Sequence, residues 1–217
     1  MVSLGRKTED NSPASITCRL LPTVLDPKKL EKKTALQVLD FGRANSATLS
    51  FFNQYPCRLC VLDAAEELLQ WSESVAARME DPPSNSQMRL ELANLLSSMG
   101  DYRYDVVFLW DTLNHLHPHA LNAFGSVLHR HVTADFKGHG FMLHKKGTPQ
   151  FLRHLSLQSD SVLNVREQET VPLYAHNRKQ INESLEPDLK IDHGVLHGDG
   201  RLEFTEPGGK THTLTRR

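Results

Sequence analysis

Short apolar runs that alternate with segments of helical period constrain this chain more than any other feature. Leu36–Asp40 is one such run, followed by a turn containing Gly42. A helix is predicted over Ser46–Gln54, with Asn45 or Ser46 as its cap. Arg58–Leu62 is the second run and ends at Asp63. After it Leu68, Trp71, Val75 and Met79 share one face of a helix over Ala64–Met79. The breaker cluster Asp81–Ser86 marks a loop. Met88–Leu92 reads as a third strand, with a helix as its alternative. Asp105–Trp110 is the clearest buried strand. A helix starting near Pro118 then presents Leu121, Phe124, Leu128 and Val132, and Gly140–His144 reads as a fifth strand.

This alternation implies parallel strands joined by crossover helices, hence a three-layer α/β fold. Such sheets bind ligands beyond the carboxyl ends of their strands. Asp40–Ser46, Asp63, Ala93–Asn94 and Asp111–His115 are therefore expected around one mouth.

The flanks read differently. Residues 1–34 form an N-terminal tail and lead-in, with Ile16–Leu25 a short strand or helical fragment. The α/β domain covers residues 35–157, its alternation clearest over Ala35–Lys145, and Pro149–Leu157 reads as a helix. Residues 158–217 complete the sheet. They carry strand-like segments at Ser161–Val165, Thr170–Tyr174, Leu189–His197, Arg201–Thr205 and Thr211–Thr215. Gly198–Gly200 and Pro207–Gly209 are turn signals between the last three, which predict an antiparallel β meander. Its open edge offers a pairing surface to a second copy or a protein partner.

The chain has 217 residues and a net charge of -1, so no global basic field draws it to nucleic acid or an anionic membrane. No run approaches the roughly 20 apolar residues of a membrane span, and Met1–Pro13 lacks a signal-peptide core. Three cysteines without framework spacing fit a reducing compartment. A cytoplasmic protein is expected.

Chemistry concentrates at three turns. The first is Val38–Ala47, where an apolar strand ends at Asp40, Gly42 follows, and a helix begins. Here the chain resembles the class I S-adenosylmethionine-dependent methyltransferases, whose first strand is followed by an acid and three alternate glycines. Asp40 and Gly42 match. Ala44 and Ser46 stand where the second and third glycines would be, and their Cβ atoms fit without strain only if φ is negative. The second turn carries Asp63. In the resembling family an acid there accepts hydrogen bonds from the cofactor's ribose hydroxyls, and Ala64 flanks the adenosine. By its own chemistry Asp63 also reads as a helix N-cap. The third is Tyr104–Pro118, an aspartate and buried strand followed by Asn114, His115 and Leu116, similar to the family's "xLxHL" run.

The resemblance covers about 110 residues. It implies a Rossmann-like methyltransferase fold with a C-terminal antiparallel β extension. It also implies S-adenosylmethionine as cofactor, bound by Asp40, Phe41, Gly42, Ala44, Asp63, Ala64, Asn94 and Trp110. Asp111 or His115 would orient the methyl acceptor or take its proton, since imidazole titrates near neutrality. The acceptor's identity is not encoded in these motifs. Two other readings stay open: a catalytically inactive binding or scaffold subunit of the same fold, and a metal hydrolase using His115, His117 and His119. Pro118 interrupts the extended geometry that would let those imidazoles converge, so no metal ligand is assigned. Cys57 and Cys60 lie at the entry to a strand, where packing is their expected role.

Overall fold

The computed structural model describes residues 14–26, 35–144, 151–171, 173–185, 190–191 and 193–206. Two sheets and six α-helices make up those residues. The elements are β1 (Ala14–Thr17), α1 (Leu21–Val24), β2 (Leu36–Asp40), α2 (Ser46–Phe52), β3 (Cys57–Val61), α3 (Ala65–Ala77) and α4 (Asn85–Leu95). They continue with β4 (Tyr104–Trp110), α5 (Leu121–His129), β5 (Val132–Leu143), β6 (Phe151–Leu157) and β7 (Val162–Thr170). Last come α6 (Arg178–Leu185), β8 (His193–Leu196) and β9 (Arg201–Glu206).

The central sheet runs β3-β2-β4-β5-β9-β8. β2, β3, β4 and β5 are parallel. β9 is antiparallel to β5, and β8 is antiparallel to β9. β8 therefore points with the first four strands and β9 alone runs against them. This order is a Rossmann-like α/β arrangement with one reversed strand. The expected C-terminal strands join the central sheet as a hairpin; Thr211–Thr215 lies outside the described residues.

Side chains of β4 alternate between two cores, as a strand buried on both faces requires. Val106, Phe108 and Trp110 face one side with Leu36 and Val38, against α1, α2 and a second sheet. Val107 and Leu109 face the other with Leu39, against α3, α4, α5 and α6. The second sheet is antiparallel, in the order β1-β7-β6. Leu155 and Leu157 of β6 and Leu163 and Val165 of β7 point inward from it.

Four expectations are corrected here. Met88–Leu92 is part of helix α4: Ser84 Oγ caps it by accepting from Gln87 N at 3.2 Å, and Met88 and Leu92, one turn apart, are its buried residues. Val132 belongs to β5, because the preceding helix stops at His129. Phe151–Leu157 is a strand, with alternate leucines buried against α2 and the central sheet. Val162–Thr170 is one strand where two segments were expected. Among the described residues no helix is long and apolar enough to cross a membrane.

Candidate functional site

β2 lies between β3 and β4, so the turns that leave these three strands meet at one end of the sheet. Asn45 starts α2 there, its Oδ1 accepting from Thr48 N at 2.8 Å. Gly42 is a glycine because of what approaches it. A Cβ at that position would sit 2.8 Å from the Trp110 indole and 3.0 Å from an Asp40 oxygen. Ala44 and Ser46 have negative φ, so their Cβ atoms carry no left-handed strain. The only described non-glycine residues at positive φ are Asp63, at 48°, and Trp110, at 46°. Both stand at strand ends beside the mouth. For a residue as bulky as tryptophan this backbone costs about 1–3 kcal/mol, which the surrounding contacts hold in place.

Those contacts are specific. Trp110 stacks on Phe108 with ring centroids 4.9 Å apart. Its Nε1–H donates to Asp40 Oδ1 at 2.5 Å, and the same oxygen accepts from Gly42 N at 2.7 Å. Asp40 is buried, and burial pushes its carboxyl up to about 6 against the pull of those two hydrogen bonds. Asp63, in contrast, is half-exposed, with Arg43 Nε 3.7 Å from it. It does not cap α3: Ala64 is the N-cap residue and no side chain closes that helix end.

Asp111 follows Trp110 and is buried. Arg153 of β6 grips it with two hydrogen bonds, Nε at 2.6 Å and Nη2 at 2.7 Å. Arg153 Nη1 also lies 3.6 Å from Asp199, which binds Arg201 at 3.0 Å. Asn114 ties the same turn to β5, its Oδ1 accepting from Leu143 N at 2.8 Å. His115 is buried with no hydrogen-bond partner at either ring nitrogen. Burial pulls it down to about 4, against the opposing effect of Asp111.

These groups enclose a small cavity of about 20 Å³, lined by Phe41, Gly42, Asp63, Trp110, Asp111 and His115 among the residues expected from the sequence. Arg153 and His154 of β6 complete it. The other expected residues stand apart. Asp40 lies beneath Trp110 and Ala64 is in the core. Ala44 lines a separate cleft. Asn94 is on the exposed side of α4, because the strand expected before it does not form. Arg153 was not foreseen; a lone cation inside the alternating run Phe151–Leu157 is the signal that marks it.

A second polar knot lies on the β5–β9 pair, where the His139 ring meets Trp110 edge-on with centroids 6.0 Å apart. Glu203 of β9 accepts from the amides of Arg19, Leu20 and Leu21 at 2.9, 2.8 and 3.1 Å. His139 and His197 bind it through Nε2 at 3.0 and 2.8 Å. Burial would raise this carboxyl, but the bonds from His139, Arg19 and His197 outweigh it and hold it at about 2. Burial keeps His139 below its usual value despite Glu203, so a neutral imidazole donates Nε2–H to an ionised carboxylate. Cys18, His139 and Glu203 are the one group among the described residues with metal-compatible spacing. Glu203 is already committed to five donors. His115, His117 and His119 belong to no such group; His117 and His119 stack with centroids 5.4 Å apart.

No protein-family model matches the chain, and no curated protein matches it. Among solved structures, it is similar to the 1,6-didemethyltoxoflavin-N1-methyltransferase of Burkholderia thailandensis, crystallised with S-adenosylhomocysteine. The two share 15% identity and a TM-score of 0.47, over 88% of this chain and 77% of that one. A S-adenosylmethionine-dependent methyltransferase of Clostridium acetobutylicum gives 10% identity and a TM-score of 0.48, over 86% and 89% of the two chains.

Proposed function

We propose that the chain is a S-adenosylmethionine-dependent methyltransferase whose cofactor mouth is held shut by its own side chains. The observation that supports this reading is the meeting of the Asp40–Gly42 turn with Asp63 at the carboxyl ends of β2 and β3, beside the strand-order switch. Asp63 is a half-exposed carboxylate able to accept from two ribose hydroxyls. His115 lines the same cavity with both nitrogens unpartnered.

The polar groups fit the cofactor; the space does not in this conformation. A cavity of about 20 Å³ compares with roughly 300 Å³ or more for a small-molecule site. The Trp110 indole lies over Gly42, and the Arg153–Asp111 pair fills the floor. Binding therefore requires both to swing aside. S-adenosylmethionine, when bound, would supply an activated methyl group. The protein's share is to align donor and acceptor and to exclude water. Asp111 is occupied by Arg153, and burial makes His115 a neutral imidazole and a weak base near pH 7, so its two unpartnered nitrogens are suited to orienting an acceptor rather than to taking its proton.

Calorimetric titration of the full chain with S-adenosylmethionine and S-adenosylhomocysteine tests the reading. Saturable binding, weakened at least ten-fold by Asp63→Ala, is expected. No binding at millimolar cofactor would overturn it. The second reading, a methyltransferase fold that serves as a cofactor-free binding subunit, is favoured by the filled mouth and would then stand.

A further inference from the structure

The room that the mouth lacks lies next to it. A cleft of about 500 Å³ opens between the residues after Gly42 and the second sheet, within the usual size range for small-molecule sites. Its floor is the outer face of the β6–β7 ribbon. His154 stands opposite Arg166 and Ser156 opposite Asn164 in the antiparallel register. These four alternate with Leu155, Leu157, Leu163 and Val165, which point to the core. A polar outer face is ordinary for such a ribbon. What is not ordinary is its charge. The facing wall brings Arg43 and Ser46, and among the described residues no carboxylate lines the cleft, although the chain as a whole holds 26 acids against 25 Lys and Arg.

The donors are also unspent. Among the described residues the side chains of Arg166, Ser46, Ser156 and Asn164 make no hydrogen bond or ion pair. Arg43 has one distant partner, Asp63 at 3.7 Å. His154 Nε2 is buried without a partner. Two guanidinium forks plus hydroxyl and amide donors outnumber what the two oxygens of a carboxylate use well. A phosphate group presents more oxygens and suits Arg forks.

We propose that this cleft binds a phosphate-bearing small molecule, held between Arg43 and Arg166. The cleft and the mouth share Arg43, His154 and Leu155, so the ligand would lie beside the cofactor position. The assignment concerns binding alone and does not depend on methyl transfer.

Inorganic pyrophosphate, titrated into the full chain at low salt without S-adenosylmethionine, is the probe. Saturable binding is expected, weakened at least ten-fold by Arg166→Ala. Arg166 is exposed, so this variant should keep the parent's circular dichroism and unfolding midpoint. Arg43→Ala should weaken binding similarly. No saturation up to 10 mM pyrophosphate, on the order of the weakest specific ligands, would overturn the proposal. Unchanged affinity in Arg166→Ala would overturn it equally, and citrate competing as well as pyrophosphate would overturn the choice of phosphate. Arg166 does not line the mouth, so its variant is read independently of cofactor binding, which is measured separately through Asp63.

Discussion

Arg153 and Asp111 form a two-pronged ion pair, 2.6 and 2.7 Å, that fastens β6 across the end of β4. The pair is buried on both sides. Removing Arg153 leaves Asp111 buried without a cation, and removing Asp111 leaves Arg153 only the more distant Asp199 at 3.6 Å; breaking a buried pair in this way costs about 3–5 kcal/mol. Arg153→Met alone and Asp111→Leu alone should each lower urea-unfolding stability by that order. The double variant should lose far less than the sum, since apolar replacement of a whole buried pair is often neutral. Additive losses would show that the two charges are not coupled.

Gly42→Ala should displace Trp110. A Cβ 2.8 Å from the indole must push it off Asp40, at a cost of about 1–3 kcal/mol. The chain has two tryptophans, so a Trp71→Phe background isolates the signal. A red-shifted Trp110 emission is expected in Gly42→Ala. An unchanged spectrum would mean the indole does not rest on the glycine.

Asp40 predicts an unusual pH dependence. Its folded value, about 6, lies above the ordinary 3.8, so between those values the folded state holds more proton than the unfolded one. Stability from this group is greatest below pH 4 and falls as pH rises to about 6. The loss is of order 2–3 kcal/mol, at 1.36 per unit. Asp40→Asn should remove that slope. Relative to the parent, the variant should gain between pH 4 and 6 and then level off. Parallel stability curves for the two proteins across that window would refute the assignment.

Glu203 predicts the opposite sign. Its folded value, about 2, lies below the ordinary 4.5. The stability it supplies is complete above about pH 4.5 and is lost as pH falls toward 2. Glu203→Gln puts a donor where acceptors are needed. It should destabilise by about 1–3 kcal/mol and speed hydrogen exchange at the Arg19, Leu20 and Leu21 amides.

β2 and β4 could be read from the chain because a strand buried on both faces is a short apolar run; β3, at the sheet's edge, is only half-buried but carries a similar run. The turns after them followed from those strands, which is why Gly42, Asp63, Trp110, Asp111 and His115 meet as expected. Met88–Leu92 misled because Met88, Leu90 and Leu92 alternate like a strand. The helix wins through the Ser84 cap and the burial of Met88 and Leu92, leaving Leu90 at 65% exposure. Phe151–Leu157 misled in the other direction, since Phe151 and Leu155 are also one helical turn apart. Arg153 meets Asp111 across 42 residues, and no local pattern encodes a contact at that range. The closed mouth was illegible for the same reason.

Glu203 also sets an order of assembly. The amides it holds belong to the first described turn, yet the carboxylate arrives 184 residues later. During vectorial synthesis β7 can pair with β1 and Cys18 N can reach Ser161 O first, but these three amides must wait for Glu203. Closing so long a loop is slow relative to local helix formation. The Arg19, Leu20 and Leu21 amides should therefore gain protection later than the β1–β7 pair, and a nascent chain stalled before β9 would leave them without their acceptor.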